Sequence, residues 1–462
     1  MRFAARLMVF PFAAALAGVS PPPDSLGSIA EANGHAAAVH LRAAASHTLE
    51  GRTVTMTFDQ LGRRWLARRC VAEICGGMWF DGDQRWTFSI NEVPLPITDD
   101  VVPLDRTVAA IASYAFAEPS FAAEGGVVRR AGARRWTVTA PHGEPLVAVL
   151  DDALAVRRIE RPDGRLVSRF ERDAKAGGAT FAMDRGGLSF GHYDTVTTVA
   201  GGLEAPDGAP VRFSGDAGTA LDVSAGVPIV PCTLAGRAAR CLLDTGTMPS
   251  ALTLPFAERL GLEPRGEIEV RGFGTLATGI VETGPLALGA ATFAHARFAV
   301  VPPSPAPFDV VVGSDLLARV RLDLDRGAGR ARMGPAGAPL EDGIPLEFRN
   351  GVPYVAVSVG DRRFPGALLD TGDASIFSFG YDEYRTGPAY PVTGRSGSAG
   401  LAGVDDVLDV TVPDVTAGPL RIAPARASVR RTQRGAHLGI GMWTRCVVAL
   451  DLHAARFACR PR

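Results

Sequence analysis

An Asp-Thr-Gly triplet occurs twice in this chain, each time at the end of an apolar run. The first copy spans residues 242–247 (Leu-Leu-Asp-Thr-Gly-Thr) and the second spans residues 368–373 (Leu-Leu-Asp-Thr-Gly-Asp). The two aspartates are Asp244 and Asp370, which lie 370 − 244 = 126 residues apart. One such triplet is weak evidence, because aspartate and glycine are common in ordinary turns. Two copies after similar apolar runs predict a repeated unit.

The segments around the triplets repeat as well. An apolar-apolar-glycine stretch ends at Gly313 in the first copy and at Gly439 in the second. Each glycine follows its aspartate by the same interval, 313 − 244 = 69 and 439 − 370 = 69 residues. Short apolar runs before each triplet indicate a hairpin whose return strand carries the aspartate. The agreement predicts two β-rich lobes, at residues 220–340 and 345–462.

On these motifs the sequence resembles the retropepsin-like (retroviral-type) aspartic proteases. The first copy carries the fuller likeness, since its triplet is followed by Phe-Ala-Glu-Arg-Leu-Gly-Leu at 256–262 and by Gly-Ser-Asp-Leu-Leu at 313–317. The resemblance covers about residues 223–459 and is closest to cellular members, including bacterial periplasmic ones. It implies a mainly β chain with two retropepsin-like β-barrel lobes in pseudo-twofold symmetry, the bilobal acid-protease fold.

The resemblance also implies a chemistry. Two carboxylates held about 3 Å apart cannot both ionise, so they share one proton. The charged member can act as base to a water, while the protonated member donates to a carbonyl oxygen. Asp244 and Asp370 are thereby expected to be the catalytic pair of an aspartic endopeptidase that acts on polypeptides without a cofactor or metal. Because both lobes lie in one chain, we expect a monomer.

The residues after each aspartate are expected to support the pair. Threonine would bond to the opposing loop, and glycine would let the backbone approach the carboxylates closely. These supporting residues are Thr245, Gly246, Thr247, Thr371, Gly372 and Asp373. Asp373 departs from the Ser, Thr or Ala that the family has there. If it faces the pair, its charge should raise the pKa of the pair; alternatively, it marks a lobe that has lost activity.

Two glycine-rich segments are expected to form flaps that close over an extended peptide. The expected flap residues are Gly272, Phe273 and Gly274 in the first lobe, and Gly397, Ser398 and Gly400 in the second. The alternative is a pair of exposed loops without a role in substrate binding.

Residues 24–215 predict a separate β-rich accessory domain, because short alternating strands are divided by turn signals. This run of strands resembles the curved sheet of periplasmic lipoprotein-carrier domains. A Gly-x-Ser-x-Gly match at residues 187–191 has the spelling of a hydrolase nucleophile elbow, but β-like sequence follows it where a helix is required. We interpret the match as chance.

The first residues have the pattern of a signal peptide. Arg2 and Arg6 precede a short apolar run at residues 7–16, and Ala15-Leu16-Ala17 fits a cleavage site. Residues 1–20 are therefore expected to be a signal peptide cleaved near Ala17, leaving a periplasmic or secreted protein with no membrane span. The alternative is a core helix at an irregular N-terminus.

Six cysteines at local spacings fit export. The expected disulfides are Cys70–Cys75, Cys232–Cys241 and Cys446–Cys459, the second flanking a predicted hairpin turn so that its cysteines face each other. Six buried free thiols are the alternative, and the spacing does not suggest zinc. Lys+Arg and Asp+Glu balance at 48 and 49, so no electrostatic footprint for nucleic acid is present.

Two other functions stay open. The chain could be a catalytically inactive protease-like protein that binds extended peptides in the periplasm. In the other alternative, the N-terminal domain binds a lipid or lipoprotein and the lobes are vestigial. The two intact triplets favour the protease.

Overall fold

A computed structural model of the chain describes residues 25–33, 40–49, 52–71, 74–98, 102–172, 179–183, 192–193, 195–215, 218–271, 275–337, 340–401 and 403–461. Strands account for 53% and helices for 12%, which confirms the predicted mainly β class. The expected signal peptide, residues 187–191 and the first-lobe flap residues 272–274 lie outside the described residues. None of the described helices is long and apolar enough to cross a membrane.

The N-terminal half contains two antiparallel sheets of seven strands each. The first sheet has the order β14-β1-β2-β3-β4-β5-β6, built from β1 (Leu41–Leu49), β2 (Arg52–Leu61), β3 (Arg64–Val71), β4 (Ile74–Phe80), β5 (Arg85–Phe88), β6 (Leu95–Ile97) and β14 (Thr195–Thr198). The second runs in order from β13 to β7, built from β7 (Val127–Gly132), β8 (Arg135–Thr139), β9 (Leu146–Leu150), β10 (Val156–Glu160), β11 (Leu166–Arg172), β12 (Ala179–Met183) and β13 (His192–Tyr193).

Helix packing joins the two sheets. The helices of this half are α1 (Leu26–Asn33), α2 (Val102–Ala112) and α3 (Pro119–Ala123), with a 3₁₀ turn at Ala115–Ala117. In α2, Ile111 packs into the core of the second sheet, whereas Ala109 packs into that of the first. α2 ends at Ala112, two residues before Tyr114, which adopts a left-handed backbone conformation (φ 59°).

The first lobe is a ten-stranded sheet with the order β15-β23-β22-β17-β18-β25-β19-β24-β21-β20. Its strands are β15 (Val211–Phe213), β17 (Ile229–Leu234), β18 (Arg237–Leu243), β19 (Ala251–Thr253), β20 (Arg265–Arg271), β21 (Thr275–Thr283), β22 (Leu286–Leu288), β23 (Ala291–Phe293), β24 (Ala296–Val301) and β25 (Val310–Val312). Two short helices, α4 (Leu254–Arg259) and α5 (Ser314–Leu317), belong to the same lobe.

The second lobe is also a ten-stranded sheet, with the order β33-β34-β37-β32-β38-β31-β30-β35-β36 and β29 paired to β30. Its strands are β29 (Glu347–Arg349), β30 (Val352–Val359), β31 (Arg362–Asp370), β32 (Phe377–Gly380), β33 (Val392–Gly400), β34 (Gly403–Val412), β35 (Val415–Ala417), β36 (Leu420–Ile422), β37 (Ala425–Arg430) and β38 (Ala436–Gly439). It also contains α6 (Tyr381–Arg385) and a 3₁₀ helix at Ile440–Thr444.

A six-stranded sheet, β16-β27-β26-β39-β40-β28, is shared by the two lobes. Its strands are β16 (Thr219–Ala220), β26 (Val320–Asp325), β27 (Arg330–Pro335), β28 (Ile344–Pro345), β39 (Cys446–Asp451) and β40 (Arg456–Pro461). At its centre β26 pairs antiparallel with β39, and Asp323 lies opposite Ala449. Every backbone hydrogen bond of this pairing links one repeat to the other, so the lobes are joined by sheet structure as well as by side-chain packing.

The sequence repeat corresponds to the same parallel strand pairing in each lobe. In the first lobe β18 and β25 pair in parallel, with Leu242 opposite Val311. In the second lobe β31 and β38 pair in parallel, with Leu368 opposite His437. Both partners are displaced by 126 residues, since 368 − 242 = 126 and 437 − 311 = 126, so the pairing register is the same in the two lobes.

The N-terminal half is physically joined to the lobes. Within the glycine- and proline-rich segment at residues 207–218, β15 pairs with β23 of the first lobe. Val93 and Leu95 are buried in the same apolar core as the lobes. Asn91 Nδ2 and Ser89 Oγ each donate to the Asp315 carboxylate at 2.8 Å. The domain limits at 24–215, 220–340 and 345–462 stay a prediction.

The three expected disulfides are all present. Cys70 and Cys75 lie directly opposite each other on β3 and β4. The hairpin geometry expected for Cys232 and Cys241 was wrong in detail, because Cys232 lies opposite Ala239. The two cysteines are diagonal neighbours, with a Cα–Cα distance of 5.9 Å that a disulfide bridges.

The contact at Asp315 predicts that the N-terminal half stabilises the first lobe. Ser89→Ala removes a donor from a buried carboxylate, which should lower the free energy of unfolding by about 1–3 kcal/mol. Urea denaturation at pH 7 measures it. Ser214→Ala makes the same chemical change at an exposed loop position and should lie within about 0.5 kcal/mol of the parent chain. Equal stabilities for the two variants would contradict the proposed role of the contact.

Candidate active site

Asp244 and Asp370 sit at equivalent places in the two lobes. Asp244 follows the last residue of β18, and Asp370 is the last residue of β31. Both strands lie inside their sheets, each next to a parallel neighbour. A strand in the middle of a sheet can be covered on both faces, which explains why apolar residues such as Leu242 and Leu243 precede the acid without alternation.

The two Asp-Thr-Gly loops bind each other through their threonines. The N–H of Thr245 donates to Thr371 Oγ1 at 2.9 Å, and the N–H of Thr371 donates to Thr245 Oγ1 at 3.1 Å. The hydroxyl of Thr245 donates to the carbonyl of Leu369 at 2.5 Å, and that of Thr371 to the carbonyl of Leu243 at 2.7 Å. Each threonine thus joins its own loop to the opposite strand, as the sequence led us to expect.

The glycines bring the loops close to the opposite carboxyl groups. A Cβ atom at Gly246 would lie 2.6 Å from Cγ of Asp370, and one at Gly372 would lie 2.6 Å from Cγ of Asp244. These separations are shorter than a van der Waals contact, so any larger residue would displace a carboxyl group. The reciprocal contact places Asp244 and Asp370 side by side between the lobes.

The environment of Asp244 favours its protonated form. Burial raises the pKa of Asp244 to about 8, and the negative charge of Asp370 acts in the same direction. Hydrogen bonds from Thr247 Oγ1 at 2.8 Å and the Gly246 N–H at 2.9 Å oppose the rise. Asp244 therefore holds a proton at neutral pH beside Asp370, whose Oδ1 accepts the N–H of Gly372 at 2.9 Å.

Asp373 has a partner that the sequence did not reveal. Its carboxylate forms a two-pronged ion pair with Arg430, at 3.0 and 2.7 Å, and accepts the hydroxyls of Ser375 and Ser378. Burial alone would raise the pKa of Asp373, but the charge and hydrogen bonds of Arg430, with smaller contributions from His437 and the Ser375 N–H, hold it below its usual value. Arg430 balances the charge of Asp373. The expectation that Asp373 raises the pKa of the Asp244–Asp370 pair therefore loses its support.

His437 is the second unexpected residue at the site. It lies on β38 opposite Leu368, and its ring Nδ1 is 3.3 Å from Asp370 Oδ2. The ring nitrogen is buried but is not aligned for a hydrogen bond. Its counterpart in the first lobe is Val311, which carries no charge.

A metal ion at this cluster is disfavoured. Ligand atoms of Asp370, Asp373 and His437 lie within 4.8 Å of one another. Both oxygens of Asp373, however, are already bound by the guanidinium of Arg430. A cation placed there would have to compete with a buried positive charge for the same oxygens.

A buried apolar cluster and a long hairpin lie near the pair. The cluster, called here the first-lobe wall, consists of Val227, Ile229, Leu242, Ala251, Val301 and Val311, with Leu276, Phe308 and Leu401 packed on it. Leu401 belongs to the second lobe and lies at the tip of the β33–β34 hairpin, so this hairpin crosses to the first lobe. The expected flap residues Gly397, Ser398 and Gly400 lie on β33 leading to that tip.

Sequence reasoning missed Arg430 and His437 as members of the site. The signal for His437 was present in the repeat, since an imidazole replaces Val311 in an otherwise apolar strand. Arg430 gave no such signal, because arginine is abundant in this chain and its partner lies 57 residues earlier (430 − 373 = 57).

Comparison with known families agrees with this geometry over the first lobe. Residues 230–316 match the family model described as aspartyl protease. The first lobe belongs to the retropepsin-like aspartyl proteases. No curated protein sequence matches the chain. The family match ends before the second Asp-Thr-Gly triplet, so the role of the second lobe rests on the repeat and on the contacts described above.

The raised pKa of Asp244 predicts a pH-dependent stability. In the folded chain Asp244 keeps its proton up to about pH 8, whereas in the unfolded chain it loses the proton near pH 4. Protonation of Asp244 therefore stabilises the fold fully below pH 4, and this stabilisation disappears as the pH rises to about 8. Asp244→Asn carries no such proton. Its stability relative to the parent chain should therefore rise between pH 4 and 8, as measured by urea denaturation.

Asp163→Asn, at an exposed position, provides the control. The Asp163 carboxyl group has a lowered pKa and is ionised above pH 5 in both the folded and the unfolded chain. Its stability relative to the parent should not vary between pH 5 and 8. Parallel stability curves for Asp244→Asn and the parent chain over that range would contradict the raised pKa.

Proposed function

We propose that the chain is an aspartic endopeptidase in which Asp244 and Asp370 activate a water between the two lobes. The observation that carries the proposal is the reciprocal contact of the two Asp-Thr-Gly loops, in which Gly246 faces Asp370 and Gly372 faces Asp244. Two carboxyl groups in this arrangement share one proton, which is the protonation state that acid-base hydrolysis requires.

The proposed reaction uses the two acids in different roles. Ionised Asp370 takes a proton from the water, whose oxygen bonds to the scissile carbonyl carbon, and Asp244 gives its proton to the carbonyl oxygen. In the second step the C–N bond breaks, the amine nitrogen takes the proton from Asp370, and Asp244 recovers its proton from the hydroxyl group. Both carboxyl groups then return to their starting state. The raised pKa of Asp244 supports its assignment as the acid.

The proposed substrate is an extended polypeptide. Leu401, at the tip of the β33–β34 hairpin of the second lobe, packs on the first-lobe wall, so this hairpin reaches from one lobe to the other. The proposed role of the hairpin is to cover a bound peptide and exclude water from the carboxyl pair. This role of the hairpin, and that of residues 272–274, are part of the proposal.

A single chain is proposed to form the complete site. The pairing of β26 with β39 supports pseudo-twofold symmetry, because exchange of the repeats maps the Leu322–Leu450 pair onto the Leu324–Val448 pair. The pair Asp323–Ala449 maps onto itself, since 449 − 323 = 126. We therefore expect the rate per chain to be independent of chain concentration.

Export is proposed on chemical grounds. Three disulfides fit an oxidising compartment such as the periplasm or the extracellular space. The predicted signal peptide at residues 1–20 supports the same assignment.

Cleavage of a peptide library between pH 3 and 9 tests the proposal. The exported chain should cleave peptides, and Asp244→Asn or Asp370→Asn should each lower kcat/KM by at least about 100-fold, because either change removes a partner in proton transfer. Asp163→Asn, an exposed aspartate of the N-terminal half, is the matched control and should keep full activity.

Each other result has a definite meaning. Loss of cleavage with only one of the two substitutions would show that the two lobes do not act as one pair. A folded parent chain that binds peptides but cleaves none across this pH range would support the inactive peptide-binding alternative. A lipid or lipoprotein bound by the N-terminal half, without cleavage, would support the carrier alternative.

Gly246 provides a steric test that leaves both acids in place. In Gly246→Ala the new methyl group would overlap the Asp370 carboxyl group, so kcat should fall by about 100-fold or more as the pair is displaced. Gly202→Ala adds the same methyl group where nothing lies within 4 Å, and it should not alter kcat. Comparable kcat values for the two variants would contradict the close apposition of the loops.

A further inference from the structure

The two aspartates receive their side-chain support from different positions in the two lobes. Asp244 Oδ2 accepts the hydroxyl of Thr247, three residues further along the same loop. The position equivalent to Thr247 is Asp373, whose ionised carboxylate has no proton to donate. Asp370 Oδ2 instead lies 3.3 Å from Nδ1 of His437.

The lobes also differ at the strand position of His437. The first-lobe residue that corresponds to His437 is Val311, which belongs to the apolar first-lobe wall. The first lobe therefore combines a hydroxyl donor at the loop with an apolar strand position. The second lobe combines a non-donor at the loop with an imidazole on the strand. The imidazole lies at ion-pair distance from Asp370, although it is not aligned as a hydrogen-bond donor.

Arg430 compensates the charge of Asp373 at the position where the first lobe has Thr247. The ion pair with Arg430 directs the Asp373 carboxylate towards Ser375 and Ser378. It also balances a negative charge that would otherwise disfavour a second ionised carboxylate at Asp370. The imidazole of His437 is then the group that lies beside Asp370 Oδ2.

We propose that His437 is a positioning residue which, in its protonated form, pairs with Asp370 and fixes this aspartate as the ionised member of the catalytic pair. The inference rests on the proposed protease function and deepens it. It makes the pair asymmetric, with Asp370 as the base and Asp244 as the acid. The charged groups that face the imidazole are Asp370 at the end of β31 and Asp373 in the following loop, with Arg430 behind Asp373.

The pairing has a consequence for the pH dependence of hydrolysis. A positive charge near a carboxylate favours its ionised form, so His437 should extend activity to lower pH. The acidic limb of a profile of kcat/KM reports the ionisation that creates the base. That limb reports the titration of the Asp244–Asp370 pair as a whole. Removal of the positive charge of His437 should therefore move the limb towards higher pH.

The test compares pH profiles of kcat/KM between pH 3 and 9 for four proteins. His437→Asn removes the charge while it keeps a polar side chain, and His437→Lys keeps a positive charge. His453→Asn makes the first of these changes at an exposed position and is the control. We expect the acidic limb of His437→Asn to move up by about one pH unit. The limbs of His437→Lys and His453→Asn should remain within about 0.3 unit of the parent, a margin below the smallest shift expected from a close charge pair.

The outcomes separate this inference from the proposed function. If the parent chain cleaves peptides and His437→Asn only lowers kcat, without movement of the acidic limb, His437 is structural and the inference is overturned. An equal movement of the limb in His437→Asn and His437→Lys would also overturn it, because the positive charge would then not matter. If the parent chain cleaves nothing while folded, the proposed function fails and the inference fails with it.

Discussion

The site depends on the mutual hydrogen bonds of Thr245 and Thr371. Each threonine is fully buried, and each satisfies a backbone N–H and a carbonyl of the opposite lobe. Neither loop could be buried alone without leaving these polar groups unpaired, which would cost several kcal/mol in all. The carboxyl pair is consequently a product of lobe association, and the shared sheet of β26 and β39 holds the lobes in that association.

The two repeats differ in the side chains that surround their aspartates. The substitution of a threonine-type donor by Asp373 would place an unpaired charge beside the acids, which is costly in a buried setting. Arg430 and His437 resolve this problem from two different strands, one by pairing with Asp373 and one by contacting Asp370. Loss of Arg430 alone would leave the buried carboxylate of Asp373 without its cationic partner.

The sequence allowed the backbone of the site to be predicted, but not its electrostatics. The triplets, the interval to Gly313 and Gly439, and the three disulfides follow from local pattern and from repetition. The partners of Asp373 and Asp370 do not, because Arg430 and His437 approach only when β37 and β38 are placed in the sheet. The diagonal position of Cys232 was also missed, since a register shift of two residues leaves the pattern of inward and outward side chains unchanged.

The N-terminal half contributes hydrogen-bond donors to a buried carboxylate of the first lobe. Asp315 in the Gly-Ser-Asp segment is completely buried, and a buried carboxylate needs several donors to compensate its lost hydration. Ser250 supplies donors from within the lobe, but Ser89 and Asn91 supply the two that reach Oδ2 at 2.8 Å. Asp315 belongs to the short helix α5, which follows directly on β25, the strand beside Asp244. Loss of the N-terminal donors would therefore act on the strand that pairs with β18, and Asp244 follows the last residue of β18.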